Sequence, residues 1–314
     1  MTEIKNKYSL IIVGAGPAGL TASMYASRYK IDHLVIGQAV GGLAFEAHKI
    51  CNFPTEEEIS GVQLIGKIRK HAESLGMKMV NTEVTKIEEK NNQFEITTEN
   101  NKSFLTQAIL LATGTKRRKL NINEDKFIGK GVSYCATCDA MFYQNKTVAV
   151  IGGGDSANTS SLYLAKIAKQ VYQIYRGNKL HGETIWIDKV IHNKKIKLIY
   201  NTEVANLEGK EKLERIVLNV PYQQAREINV DGLFIEIGTM PRKQLIKQLL
   251  LKTDQDGFIK VSADQKTSRV GVWAAGDITS ASNNFRQIIT ACSEGSIAIE
   301  NIFEFLQKTN KSNL

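Results

Sequence analysis

The sequence predicts an α/β protein made of two similar parallel-sheet units, on three observations. Strand-like apolar runs alternate with helical stretches along the whole chain. A glycine-rich turn from strand to helix occurs twice, at Gly14 and at Gly152, an offset of 138 (152 − 14). The same offset pairs Gly16 with Gly154, Gly19 with Ala157 and, inside the helices, Tyr25 with Tyr163.

Composition agrees. At about 100–200 residues per domain, 314 residues make two domains. With 42% apolar and 23% charged residues, disorder is excluded. No apolar stretch reaches the roughly 18 residues of a membrane span. The start, Met1 to Lys7, leads straight into a strand-like run, Tyr8 to Val13, without a signal-peptide pattern, so the expected location is cytoplasmic. The net charge of +9 comes from lysines scattered along the chain, so no nucleic-acid partner is expected. The one tight basic cluster, Lys116 to Lys119, is expected to be a solvated loop.

In chain order, the first turn is Leu10-Ile-Ile-Val-Gly-Ala-Gly-Pro-Ala-Gly19. It fits G-x-G-x-x-G after a strand and before a helix. The first glycine allows the tight turn, the second lets backbone approach a pyrophosphate, and the third lets helix and strand pack closely. The pyrophosphate then sits among unpaired N–H groups at the positive end of the helix. The second strand of this copy is His33 to Gly37, followed by Gln38 rather than an acid. Ala108 to Gly114 reads as a short buried strand ending in Thr113-Gly114. The second turn, Val148 to Ala157, is followed by a strand, Val171 to Tyr175, that ends at Arg176. An arginine there suits a 2′-phosphate, so this copy leans towards NADP(H). Gly271 to Asp277 is a further core strand with a polar tip. Two dinucleotide sites in one chain imply a flavin and a nicotinamide dinucleotide exchanging electrons.

Between the turns stands Cys135-Ala-Thr-Cys138, followed by Asp139. Thiols at i and i+3 can close a small disulfide, and a helix N-terminus favours thiolate. Asp139 is a candidate to move the proton. No metal site is expected, because Cys51 and Cys292 stand alone and the histidines, His48 among them, show no ligand spacing. Cys51 and Cys292 are expected to be buried small residues.

This combination resembles the low-molecular-weight thioredoxin reductases. The matching segments are Gly14-Ala-Gly-Pro17-Ala18-Gly19, Gly41-Gly42, Ala112-Thr113-Gly114, Gly131 to Asp139, Gly152-Gly-Gly154-Asp155-Ser156-Ala157, Gly276-Asp277 and Arg286-Gln287. The resemblance implies two Rossmann-like, three-layer ββα domains, the second inserted into the first. The FAD domain would take 1–114 and 245–314, the NAD(P)H domain 115–244. FAD would be held by the first turn together with Gln38, Gly42, Thr113, Gly114, Gly276, Asp277, Arg286 and Gln287. The nicotinamide dinucleotide would be held by Gly152, Gly154, Asp155, Ser156, Ala157 and Arg176. Cys138 would face the flavin, Cys135 would attack the disulfide of a thioredoxin-like partner, and Asp139 would serve as acid–base. The family works as a homodimer.

Two segments depart from the family's pattern. Its NADPH fingerprint is His-Arg-Arg followed three residues on by Arg. Here the segment is Tyr175-Arg-Gly-Asn-Lys-Leu-His181, which keeps Arg176 alone. NADPH, NADH or another donor such as ferredoxin therefore remain open, and so does an O₂-consuming dithiol oxidase of the same fold. After Gly42, the run Leu43-Ala-Phe-Glu-Ala-His48 replaces the polar residues expected near the flavin.

Overall fold

The computed structural model describes residues 4–47, 49–90 and 93–311, so His48 lies outside the described residues. The chain divides into two units, one formed by Met1–Lys116 with Met240–Leu314 and the other by Arg117–Thr239.

The chain opens with β1 (Lys7–Val13), α1 (Pro17–Arg28), β2 (His33–Ile36), α2 (Gly61–Ser74), β3 (Met79–Val80), β4 (Val84–Lys90), β5 (Gln93–Thr98) and β6 (Ser103–Leu111). After β7 (Thr115–Arg117) come β8 (Val132–Ser133), α3 (Ala136–Asp139), β9 (Thr147–Ile151), α4 (Asp155–Ile167), β10 (Gln170–Ile174), α5 (Thr184–Ile191) and β11 (Ile196–Ile199). There follow β12 (Val204–Glu208), β13 (Arg215–Tyr222), β14 (Ala225–Asn229), β15 (Gly232–Ile235) and β16 (Thr239–Pro241). The last elements are α6 (Lys243–Gln248), β17 (Val272–Ala274) and α7 (Ile288–Lys311).

In unit one the sheet order is β3-β2-β1-β6-β5-β4, with β17 also on β6. Strand β6 is longer than the sequence suggests; one edge pairs with β1, and the other serves two partners. Ser103 to Thr106 pair antiparallel with β5, and Ile109 to Leu111 pair parallel with β17. The missed half alternates exposed and buried positions, which blurs the apolar run that marks the other half. Both faces of β1 are buried. Ile11 and Val13 join one apolar cluster, while Leu10 and Ile12 join another with α1, α7 and Trp273.

Unit two repeats the plan. Its sheet runs β11-β10-β9-β15-β8 with every neighbouring pair parallel, and β12-β13-β14 form a separate antiparallel sheet. Successive residues of β9 again point to opposite clusters, Ala149 and Ile151 to one and Val148 and Val150 to the other. In both units the parallel strands end at the glycine turns, where α/β sheets bind ligands.

The Lys116–Lys119 cluster is only partly the solvated loop expected: Lys116, Arg118 and Lys119 are exposed, but Arg117 is half-buried and two of the four side chains have distant partners. Arg117 lies on β7 and donates to the buried Glu236 carboxylate at 3.0 Å, while Arg118 Nε donates to the Thr239 carbonyl at 3.0 Å. The partners are more than a hundred residues away in sequence, so local composition cannot reveal them. Among the described residues, no helix is long and apolar enough to cross a membrane.

Candidate functional site

The first turn is built from contacts that leave room for glycine only. Gly14 has φ +115°, and a Cβ there would lie 2.2 Å from the Ala112 carbonyl oxygen. A Cβ at Gly19 would lie 1.9 Å from the Gly14 oxygen, which is the close helix–strand approach the motif requires. Gly16 is different, because a Cβ there would meet nothing within 4 Å. Gly16 caps α1 with no side-chain hydrogen bond, and Pro17 follows at the start of the helix. No side chain caps the first-turn N–H groups, and the space beside Gly16 is open, so this cradle fits a dinucleotide pyrophosphate. Around it, Gly41 N donates to the Ala15 carbonyl at 2.7 Å and brings in Gly42. Gln38 lies exposed just past β2, and Thr113-Gly114 follow β6, Gly114 at φ +60°. Leu43 and Ala44 are half-buried, Phe45 is exposed.

The same face receives Gly276 and Asp277. Burial pushes the Asp277 carboxyl above its usual range, with Arg286 opposing the shift and Glu294 adding to it. The Arg286 guanidinium stacks 3.6 Å over the Phe258 ring centroid and donates to the Asp277 and Thr279 carbonyls. Gln287 Oε1 accepts from Asn52 at 3.0 Å.

Glu294 is a residue the sequence reading missed. It is buried on α7 and accepts from Gly276 N (2.7 Å), Thr279 Oγ1 (3.1 Å) and Ser282 Oγ (2.7 Å). It thus fixes the turn that carries Asp277. The available signal was an acid inside the buried stripe of Ala291, Ala298, Ile299 and Ile302.

The second turn shares the strained first glycine. Gly152 has φ +143°, and a Cβ there would lie 2.2 Å from the Glu236 oxygen. Gly154 caps α4 without a side-chain hydrogen bond, so N–H groups for a pyrophosphate exist here too. Asp155, half-buried, accepts from Glu183 N at 2.7 Å; Ser156 is exposed and Ala157 buried. Arg176 lies exposed past β10.

Cys135 and Cys138 form a disulfide with their Cα atoms 5.3 Å apart. Cys135 caps the short α3, and Cys138 N donates to Cys135 Sγ at 3.2 Å. Cys138 is exposed, whereas Cys135 and Asp139 are half-buried. Ser133 Oγ accepts from Cys135 N at 3.0 Å. Tyr134, one residue before Cys135, has its hydroxyl pushed up to about 12 by burial and by the neighbouring Glu124. Met141 and Phe142, just beyond Asp139, are 64% and 72% exposed. The remaining thiols correct an expectation. Cys51 is exposed, because Ile50 takes the inward position by bridging to Ile59, and Cys292 is half-buried.

Two glycine-rich strand-to-helix turns and a Cys-x-x-Cys disulfide in one chain define a class, the flavin- and nicotinamide-dependent disulfide oxidoreductases. The chain belongs to the pyridine nucleotide-disulphide oxidoreductase family, whose profile matches residues 8–295. It is 37% identical over 299 residues to the thioredoxin reductase of Treponema pallidum, covering 94% of this chain and 96% of that protein. The 34.2 kDa protein of the rubredoxin operon in Clostridium pasteurianum is 36% identical over 298 residues, with the same coverage. Among solved structures, Lactococcus lactis thioredoxin reductase aligns with a TM-score of 0.91 at 34% identity, covering 96% of this chain and 99% of that one. The chain is therefore an FAD- and pyridine-nucleotide-linked oxidoreductase.

Proposed function

We propose that this chain is a thioredoxin-disulfide reductase, taking electrons from NAD(P)H through FAD to the Cys135–Cys138 disulfide and on to a thioredoxin-like protein. The observation that carries the reading is the disulfide at the start of α3, with exposed Met141 and Phe142 beside it for a protein partner. Unit one is read as the FAD domain. Gly14, Gly16, Pro17, Ala18 and Gly19 hold the pyrophosphate, and Gln38, Gly42, Thr113, Gly114, Gly276, Asp277, Arg286 and Gln287 hold the rest. Unit two is read as the nicotinamide domain, with Gly152, Gly154, Asp155, Ser156, Ala157 and Arg176 at the dinucleotide. A homodimer in the cytoplasm completes the reading.

When bound, the two dinucleotides supply the electron pair that opens the disulfide. The chain's own residues carry the remainder. Cys138 N–H, aimed at Cys135 Sγ, stabilises a Cys135 thiolate. That thiolate attacks one sulfur of the partner's disulfide, and the partner's other sulfur leaves as a thiolate and takes up a proton. Cys138 then attacks Cys135 in the mixed disulfide, which re-forms the internal bond and releases the partner's second thiol. Asp139, next in sequence to Cys138, relays protons between these sulfurs and solvent.

The test is Cys138→Ser driven by dithionite, so that no nicotinamide donor is needed. The variant should keep its flavin and lose at least about 10³-fold in thioredoxin reduction. Turnover at the wild-type rate would overturn the mechanism.

A further inference from the structure

We propose that the second dinucleotide turn is built for a dinucleotide without a 2′-phosphate, which makes NADH the electron donor. This rests on the reading above that the second turn receives the donor.

In a fold of this kind the adenosine ribose lies at the tip of the second strand, where an acid meets the 2′-hydroxyl or an arginine meets the 2′-phosphate. Here that tip is β10, and its first residue beyond the strand is Tyr175. The Tyr175 ring folds back over the turn. A Cβ on Gly153 would lie 2.6 Å from ring carbons, and a Cβ on Gly177 would lie 2.5 Å from one. The ring therefore occupies the space that a side chain at 177 would need. A cationic side chain at 177 would have to displace this ring, so packing and sequence agree in leaving Arg176 without a second cation beside it.

His181 closes the other side. Its N–H donates to the Gly153 carbonyl at 2.8 Å, and its carbonyl accepts from Asn158 Nδ2 at 3.2 Å. The backbone is thus tied to the turn itself. The imidazole stands over Gly154, with Nε2 3.0 Å from where a Cβ would be. A side chain so tethered is placed to meet the dinucleotide. An imidazole lacks the planar fork of donors with which a guanidinium grips a phosphate.

The charges nearby do not compensate. Along the segment that follows β10, the formal charges of Arg176 and Lys179 are offset by Glu183, whose N–H donates to Asp155 at the start of α4, and by Asp155 itself. Two cations and two carboxylates cancel in formal charge, so this stretch carries no net charge to favour the added negative charge of a 2′-phosphate. An ordinary pyrophosphate still finds the N–H groups of α4, which both dinucleotides share.

Calorimetric titration of the oxidised, FAD-loaded protein with NAD⁺ and with NADP⁺ reads the discrimination without turnover. NAD⁺ should bind as tightly as NADP⁺ within about threefold, or more tightly. His181→Arg should shift the affinity ratio of NADP⁺ to NAD⁺ at least about tenfold towards NADP⁺. A tenfold or greater preference of the wild-type protein for NADP⁺ overturns the proposal, as does a His181→Arg gain shared equally by both. Failure of both to bind also overturns it, while the dithionite-driven Cys138→Ser experiment judges the disulfide chemistry separately.

Discussion

The two glycine turns sit at equivalent places in the repeat but are backed by different chemistry. Behind the first lie Leu20 and Val35, both fully buried. At the same offset of 138, the second has Asn158 and Gln173, also fully buried. Gln173 Nε2 donates to the Gly152 carbonyl at 3.2 Å and to Asn158 Oδ1 at 2.9 Å, and Asn158 in turn holds the His181 carbonyl. The small residues are exchanged as well. Unit one packs Ala15 against Gly37, and unit two packs Gly153 under Tyr175. The first turn is thus an open cradle held by apolar packing. The second is wired by a polar network to the segment that covers it. A motif fixes where phosphate can lie, and the residues behind and above it decide which nucleotide the turn accepts.

The sharpest way to break this comparison is at the second glycines. Gly16→Ala should leave the FAD-free protein as stable as wild type, since the added methyl meets only open space. FAD affinity should fall by about 10–100-fold as backbone–phosphate hydrogen bonds worth about 1.5–3 kcal/mol are lost. Flavin-fluorescence titration reads this, and unchanged affinity would mean that the open place at Gly16 is not where the pyrophosphate lies. Gly154→Ala has no such freedom, because the His181 imidazole must give way first.

A smaller effect sharpens the polar side. Gln173→Val deprives the Gly152 carbonyl and Asn158 Oδ1 of their donor, for about 1–3 kcal/mol by chemical denaturation. The double variant Asn158→Leu with Gln173→Val copies unit one and should recover part of that loss. A double variant less stable than the sum of the singles would show that the network cannot be traded for packing.

The smallest effect concerns Asp277, whose pKa burial raises. A carboxyl raised in the folded state is destabilising once ionised. The penalty is absent below the ordinary carboxylate range, grows as pH rises through the raised folded value, and is complete above it. Asp277→Asn should therefore raise the melting temperature of the FAD-free protein at neutral pH by about 1–2 °C, with no gain in strong acid. A gain that is equal at all pH values would place the cause in packing.

The features legible in the sequence were those written in adjacent residues. These were both turns, the strands that feed them and the Cys pair at a helix start. What stayed hidden depends on partners far along the chain. Glu294 binds a turn 18 residues earlier, Glu236 meets Arg117 across 119 residues, and Asn52 reaches Gln287 across 235. Tyr175 was visible as a departure, but its ring is seen to fill the space at Gly177 only once the turn is folded. Cys51 was misread because its inward neighbour is set by the Ile50–Ile59 bridge, not by its own apolar character.

The split of unit one around unit two has a consequence for how the chain is made. The ribosome releases β1 to β6, then the whole of Arg117–Thr239, and only afterwards β17 and α7. Until then the C-terminal half of β6 presents an unpaired edge, and the alanine face of α1, which α7 covers at Ala18, stands bare. The inserted unit is contiguous and can close during synthesis. The outer one must wait for its last strand and helix, which makes it the slower and more aggregation-exposed half of the molecule.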